Sequence, residues 1–529
     1  MPLFETGGQF PPEDHIERIA KYKRMKKFFE GKQLEVYERA SELLKDSPQA
    51  PQLERLYIAI NLPYLLTLKP ADLLIGDRPI YEAGLPDKSP EQQALNSYVE
   101  ENDLNTLIYE SATSNGYRGD SFVKVRYGYR QDFTEVQAAL SPDDFATYMA
   151  AKEMEPIIEH VRADCVFPET AAGNIKQFKA VNIANIEWVE TAKREVPFLN
   201  VERHVPGFIL YERYRLHERP EIGVISEYGV PITTYTIGEQ VASGKDVEAT
   251  GLPHIPVFHV PYTSVDDDWR GQGFVEKIAS SLQALEDRIV QLDYILLKHA
   301  DPTLYGPDIS GPSANTASFG GKYIPITKED ATPGAITWNG HLESVFKEID
   351  LLLSYIYQMS ETPQWLFGTT ISGGGNAGGS GTSHTDGAGI KARFMPILSK
   401  VKRIRNHYDK AVKDALWTCF LFDEQFGGYK GGTVYPTIHW KDGLPKNEKE
   451  EAEIAQIRTG GKATLAVMDA IKRQDEVDDD KALEIMRRIA DDDETAFGTV
   501  DASIFNEPQP AAEVTPVGES NEEPTTGAD

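Results

Sequence analysis

The reactive and ligand-binding side chains of this chain do not fall at the spacings that catalysis needs. A phosphate-binding P-loop needs a spaced glycine followed by Gly-Lys-Ser/Thr, so that backbone amides cradle phosphate and the hydroxyl holds magnesium. Gly460-Gly-Lys-Ala463 comes nearest, but Ala463 stands where the hydroxyl must be, and Thr464 is one position late. No predicted strand leads into it. Asn376, Ser380 and the glycines around them could cradle an anion, yet no strand precedes that stretch either. No Gly-x-Ser-x-Gly elbow presents a serine nucleophile. His254 and His259 flank a loop without a clustered carboxylate to complete a metal set, and read as surface or hydrogen-bonded core histidines. Asp266-Asp-Asp268 reads as a solvated acidic turn. Cys165 and Cys419 lie far apart without metal-ligand spacing and read as small core residues. The expectation is a protein that is not an enzyme and holds no cofactor or metal.

The bulk numbers narrow the class further. The chain has 529 residues, of which 40% are hydrophobic and 10% aromatic, enough for real cores. Its length allows roughly two to four domains. The formal charge of -29 argues against a protein that grips nucleic acid through its phosphates, because such binding needs a basic surface. It does not exclude one that lets DNA pass without holding it. Two cysteines in so long a chain suit a reducing compartment. The N-terminal stretch Met-Pro-Leu-Phe-Glu-Thr-Gly-Gly lacks the basic and apolar regions of a signal peptide, and no run approaches a membrane span. These features fit a protein made or assembled in a cytoplasm.

Periodicity divides the chain into helical and β-rich parts. Helix is predicted over 14–44, over 53–74 with a kink or restart at Pro63, and over 92–116. From Ser121 the pattern alternates, and strands are predicted near 121–127, 157–161, 178–181, 186–189, 198–204, 208–216, 223–228 and 232–237. A polar helix over 143–152 interrupts them. Turn-separated hairpins make this middle third an antiparallel β-rich domain. Phe274, Ile278, Leu282, Leu285, Ile289, Leu292 and Leu296 then form a near-heptad seam on one helix, which Asp301-Pro302 ends. Short strand-like pieces fill 303–340. A second apolar-faced helix covers 341–359, and a long one with a basic side covers 390–426. A strand-like stretch follows over 433–440. Helices are predicted over 447–458, 464–472 and 481–491, and the acidic, Pro-rich end reads as a disordered tail.

Between the second and third of those long helices lies the least core-like stretch of the sequence. Residues 372–389 read Ser-Gly-Gly-Gly-Asn-Ala-Gly-Gly-Ser-Gly-Thr-Ser-His-Thr-Asp-Gly-Ala-Gly. They carry no large apolar side chain and have high backbone entropy, so they cannot pack as a core. Pinned between amphipathic helices, they read either as a working loop on a rigid frame or as an ordinary surface linker.

The order of these parts resembles the portal protein of tailed bacteriophages, and local stretches are similar to that family. They are Asn61-Leu-Pro-Tyr-Leu-Leu-Thr-Leu-Lys-Pro-Ala-Asp-Leu-Leu-Ile-Gly-Asp-Arg-Pro79, Gly119-Asp-Ser-Phe-Val-Lys-Val125, Gly271-Gln-Gly-Phe-Val-Glu-Lys-Ile278, Ser360-Glu-Thr-Pro-Gln-Trp-Leu-Phe-Gly368, Gly387-Ala-Gly-Ile-Lys391 and Ile438-His-Trp-Lys-Asp-Gly-Leu-Pro445. Each is short; their joint order carries the likeness. One departure is Gly387-Ala-Gly-Ile-Lys391, where the family often has a Ser-Gly-x-Ala-Leu-Lys-like start to the long helix.

The resemblance implies an α+β, portal-like subunit with helical stem, β-rich wing, small α/β clip and helical crown, assembling into a ring of about twelve copies. It implies an N-terminal helical segment over 1–50, a wing over 51–270, a stem helix over 271–300 and a clip over 301–340. A second stem helix would cover 341–360, the tunnel-loop region 361–389, a long wing helix 390–430, the crown 431–500 and an acidic tail 501–529. Leu282, Leu285, Ile289, Leu292, Val345 and Ile349 would line the stem helices, and Tyr305, Lys322, Tyr323 and Lys328 would face partners from the clip. Ser372, Asn376, Ser380, Thr382, Ser383, His384 and Thr385 would face DNA. Implied partners are the terminase large subunit, major capsid and scaffold proteins, a head-tail adaptor, and double-stranded DNA passing without sequence readout, with no membrane. The implied location is the portal vertex of the virion, after assembly in the host cytoplasm. Outside the resemblance, a non-channel head protein (scaffold or adaptor) and an anion-binding hydrolase remain alternatives. The basic side of the long helix, Lys400 and Arg403 included, could meet acidic neighbours or DNA, or be a solvated, salt-bridged face.

Overall fold

A computed structural model describes residues 3–36, 60–190, 195–218, 224–225, 228–299, 303–307, 323–326, 334–336, 342–367, 387–441, 443, 466–475, 477 and 479–496. The chain is mixed α+β and divides into two compact units, Met1–Glu448 and Lys449–Asp529.

The first unit opens with β1 (Gln9–Phe10) and α1 (Glu13–Phe29). The helix predicted over 14–44 ends early, at Glu30 and the left-handed Gly31, and a 3-10 turn (Gln33–Val36) follows. The expected continuation beyond residue 36 lies outside the described residues. α2 (Leu62–Ile75) starts afresh beside Pro63, the restart expected there: Pro63 occupies the first turn, where a missing N–H costs nothing, and Asn61 caps the Tyr64 amide, while the part of that predicted helix before residue 60 lies outside the described residues. The single helix predicted over 92–116 is two, α3 (Pro90–Glu101) and α4 (Leu104–Arg118). Asp103 between them is left-handed at φ 41°. The neighbouring Asn102 accepts from the Ile158 amide at 2.9 Å, tying the break to a strand.

Two antiparallel sheets form the β-rich part. The larger runs in the order β1-β11-β8-β7-β6-β5, with β12 also paired to β8. Its members are β5 (Val166–Ala171), β6 (Asn174–Glu190), β7 (Glu195–Val205), β8 (Phe208–Glu218), β11 (Tyr235–Val241) and β12 (Val247–Ala249). The two strands expected near 178–181 and 186–189 are one 17-residue strand, β6. Ala184 and Asn185 break its apolar pattern but keep register with Val201 and Asn200 of β7. The smaller sheet, β13-β3-β4, comprises β3 (Asp120–Gly128), β4 (Glu155–Val161) and β13 (Val257–Pro261). Between β3 and β4 stand two short helices, α5 (Thr134–Ala139) and α6 (Pro142–Met149), instead of one. Within 223–237 the described strands are β9 (Val224–Ile225), β10 (Pro231–Ile232), which pairs with it, and the start of β11.

Three long helices follow. α7 (Phe274–His299) is 26 residues, about 39 Å. α8 (Leu342–Met359) packs back along it, with Arg288 donating to Glu348 at 2.7 Å. Between them in sequence, β14 (Thr303–Pro307) pairs parallel with β15 (Tyr323–Ile326) and antiparallel with β16 (Gly334–Ile336). α9 (Gly387–Phe422) begins three residues before its predicted start, then widens into a π-turn at Asp423–Gly427. Its Ile397, Val401, Ile404, Tyr408, Val412, Leu416 and Phe420 are buried in the main core, against α2, β3 and β13. The strand predicted over 433–440 shrinks to β17 (Thr437–His439), which pairs with β2 (Ile80–Glu82) across most of the chain length. The second unit contains α10 (Val467–Asp475) and α11 (Asp479–Ala496), which pack on each other.

Candidate functional site

The start of α7, the end of α8 and the body of α9 meet at one buried lysine. Lys400 lies on the inner face of α9, at i+3 from Ile397, and is only 4% exposed. Its Nζ donates to the Ser360 carbonyl at 2.8 Å, just past the end of α8. The same ammonium sits 4.1 Å from the ring centroid of Phe274, the first residue of α7, and 5.8 Å from that of Tyr262. Cation–π contact of this kind stabilises a desolvated cation. Burial nevertheless pushes the Lys400 ammonium down to about 7; Glu361 opposes the shift, and Arg403 and Lys277 add to it.

The turn that Lys400 holds is tightly bonded. The Ser360 carbonyl also accepts from Thr362 Oγ1 at 3.1 Å, and the Ser360, Glu361 and Thr362 amides donate to Ile356, Gln358 and Tyr357. Glu361 takes φ 53°, a left-handed backbone uncommon for a residue with a side chain. Outside, Arg403 Nη2 donates to both Glu361 oxygens at 2.6 Å. One 3-10 turn later (Gln364–Phe367), Trp365 meets Phe394 of α9 edge to face at 4.8 Å, and Phe367 lies 5.9 Å from Tyr357. The two flanks of the glycine-rich stretch are thus packed on each other. That stretch connects two points of one rigid frame and does not link separate domains.

The expected loop residues Ser372, Asn376, Ser380, Thr382, Ser383, His384 and Thr385 lie outside the described residues, as do Lys322 and Lys328. The glycine loop was expected to reach residue 389, but residues 387–389 are already helical. Tyr305 is half-buried in the central strand of its small sheet, and Tyr323 stands on the neighbouring strand, in register with Leu304. Among the helix positions, Leu282 and Leu285 are fully buried, whereas Ile289, Leu292, Val345 and Ile349 are half-buried. α8 also bears a second apolar stripe. Leu351, Tyr355 and Met359, spaced i, i+4, i+8, are 50%, 47% and 46% exposed, while Leu353, Ile356 and Tyr357 on the other side are buried.

Part of the basic side expected on the long helix is paired within the chain. Lys410 and Lys413 pair with Asp414 and Asp409, Arg403 with Glu361, and Arg405 donates to the Lys441 carbonyl. The inward position of Lys400 was visible in its spacing from Ile397, Val401 and Ile404, but its charge masked the pattern. His259 bonds to Asp120 and His254 to Thr418, as hydrogen-bonded inner histidines would. Cys165 and Cys419 are buried free thiols. Among the described residues no group of His, Cys, Asp and Glu is arranged to hold a metal ion, and no helix is long and apolar enough to cross a membrane.

No family model and no curated protein matches this chain. Among solved structures, it is similar to a chain from the virion of a native gene transfer agent particle, with a TM-score of 0.39 and 12% identity, over 80% of this chain and 91% of that one.

Proposed function

We propose that this chain is a portal subunit of a tailed bacteriophage: about twelve copies close into a ring at one capsid vertex, and double-stranded DNA enters and leaves through its channel. The terminase large subunit docks on the ring during filling, and a head-tail adaptor replaces it afterwards. The order of sequence motifs suggests this reading, and the second apolar stripe of α8 carries it. A helix that satisfies one face against α7 and leaves Leu351, Tyr355 and Met359 in water is incomplete as a monomer. A neighbouring copy in a ring would cover that stripe at every interface at once. The charge of -29 per subunit suits a wall along which a polyanion must slide without sticking.

Two outcomes are expected. Leu351→Asp combined with Tyr355→Asp should leave the circular dichroism spectrum unchanged and abolish rings in negative-stain images. Rings that persist in the double variant would remove the stripe from the interface, and wild-type protein without rings at any concentration would end the reading. Shortening the glycine-rich stretch within 372–386 should leave rings intact but reduce the yield of DNA-filled heads; an unchanged yield would deny it contact with DNA.

A further inference from the structure

The contacts around Lys400 oppose one another. A buried ammonium has three donors, and one of them reaches the Ser360 carbonyl. Its surroundings are aromatic on two sides: Phe274 at the start of α7 and Tyr262 after β13. The charged groups facing it are Glu361 from the turn, Arg403 from its own helix and Lys277 from α7, so two of three are repulsive. The adjacent phenol of Tyr262 is pushed upward by burial and stays neutral, so it adds no compensating anion. Beside this charge, Glu361 is held in a left-handed backbone, and the ion pair that holds it lies on the surface, with Arg403 and Glu361 side chains 56% and 43% exposed.

We propose that the junction between α8 and α9 is a loaded switch: the closed turn at residues 360–363 confines the Lys400 charge against Phe274, and opening the turn hydrates that charge and frees Glu361 from its strained backbone. The cost of confinement follows from burial of a cation without a buried counter-ion. Linkage then fixes the direction. A lysine titrating near 7 when closed and near its ordinary 10.5 when hydrated takes up a proton on opening, so acid favours the open turn and alkali the closed one. The surface pair of Arg403 and Glu361 opposes opening at every pH in this range. Because Lys400, from the middle of α9, bonds the turn that ends α8 and lies against the first residue of α7, opening of the turn changes how those helices are held together.

Amide hydrogen exchange of the full chain, corrected for intrinsic rates, tests this. The Ser360, Thr362 and Leu366 amides, bonded to Ile356, Tyr357 and Pro363, are the reporters. In wild type their protection should be about tenfold or more lower at pH 6 than at pH 9. Lys400→Met should raise protection at pH 6 and remove the pH dependence. Arg403→Gln, an exposed change that leaves the core alone, should lower protection at both pH values. Lower protection in Lys400→Met would make Lys400 a structural pin and overturn the proposal. So would wild-type protection that does not vary with pH, or Arg403→Gln without effect.

Discussion

Asp120→Ala should lower the unfolding free energy by about 3–5 kcal/mol, the usual cost of breaking a buried, charge-assisted network. Asp120 is 1% exposed and accepts three donors from three distant parts of the chain. Oδ1 takes His259 Nε2 at 2.7 Å and the Gly271 amide at 2.6 Å, and Oδ2 takes the Tyr22 hydroxyl. The carboxylate therefore ties α1 and β13 to β3 and fixes the loop that launches α7. Burial and the Asp120 charge push the Tyr22 phenol well up, so it remains a donor across the working pH range. Removing Asp120 strands all three donors at once. Urea unfolding followed by tryptophan fluorescence measures the loss, and a change below about 1 kcal/mol would mean that water replaces the carboxylate easily. The neighbouring glycines make the site unforgiving. Gly119 has φ 95°, and a Cβ there would stand 2.6 Å from both the Gly271 oxygen and the Gly273 nitrogen.

Lys400→Met should make the protein more stable than wild type at pH 6, by about 2–4 kcal/mol. The buried ammonium titrates at about 7 against 10.5 when unfolded. That shift corresponds to about 5 kcal/mol of buried-charge cost at low pH, less the hydrogen bond and ring contacts that methionine forgoes. Below pH 7 the lysine is charged in both states and the full cost is present. Between 7 and 10.5 the unfolded chain binds the extra proton, so wild-type stability rises with pH. Near pH 10.5 the cost is gone, and wild type should lead by about 1 kcal/mol through its bond to Ser360. Urea unfolding of both proteins at pH 6, 8 and 10 reads the crossover. Parallel curves would mean that Lys400 titrates at its ordinary value.

Elements whose signal is local are readable from the order of residues alone. The 3.6-residue recurrence of Leu282, Leu285 and Ile289 placed α7, and the mirrored run around Ile349 placed α8, because burying one face of a helix imposes that spacing. Alternation placed β7 and β8 for the same reason in a sheet. The Gly and Pro punctuation located the loops. Within the candidate site, Ser360-Glu-Thr-Pro363 was legible as the end of a helix, and nothing more. The remainder depends on contacts between segments far apart in the chain, made only in the folded protein. The fold split 92–116 at Asp103, because a side-chain bond from Asn102 to a strand far along the chain outweighs helical continuity. It joined β2 to β17 and gathered Tyr22, Asp120, His259 and Gly271 at one carboxylate, pairings between segments with no shared local pattern. It turned Lys400 inward from what read as a basic surface, since the face of α9 is set by the helices and sheet packed on it and not by the charge of any single residue.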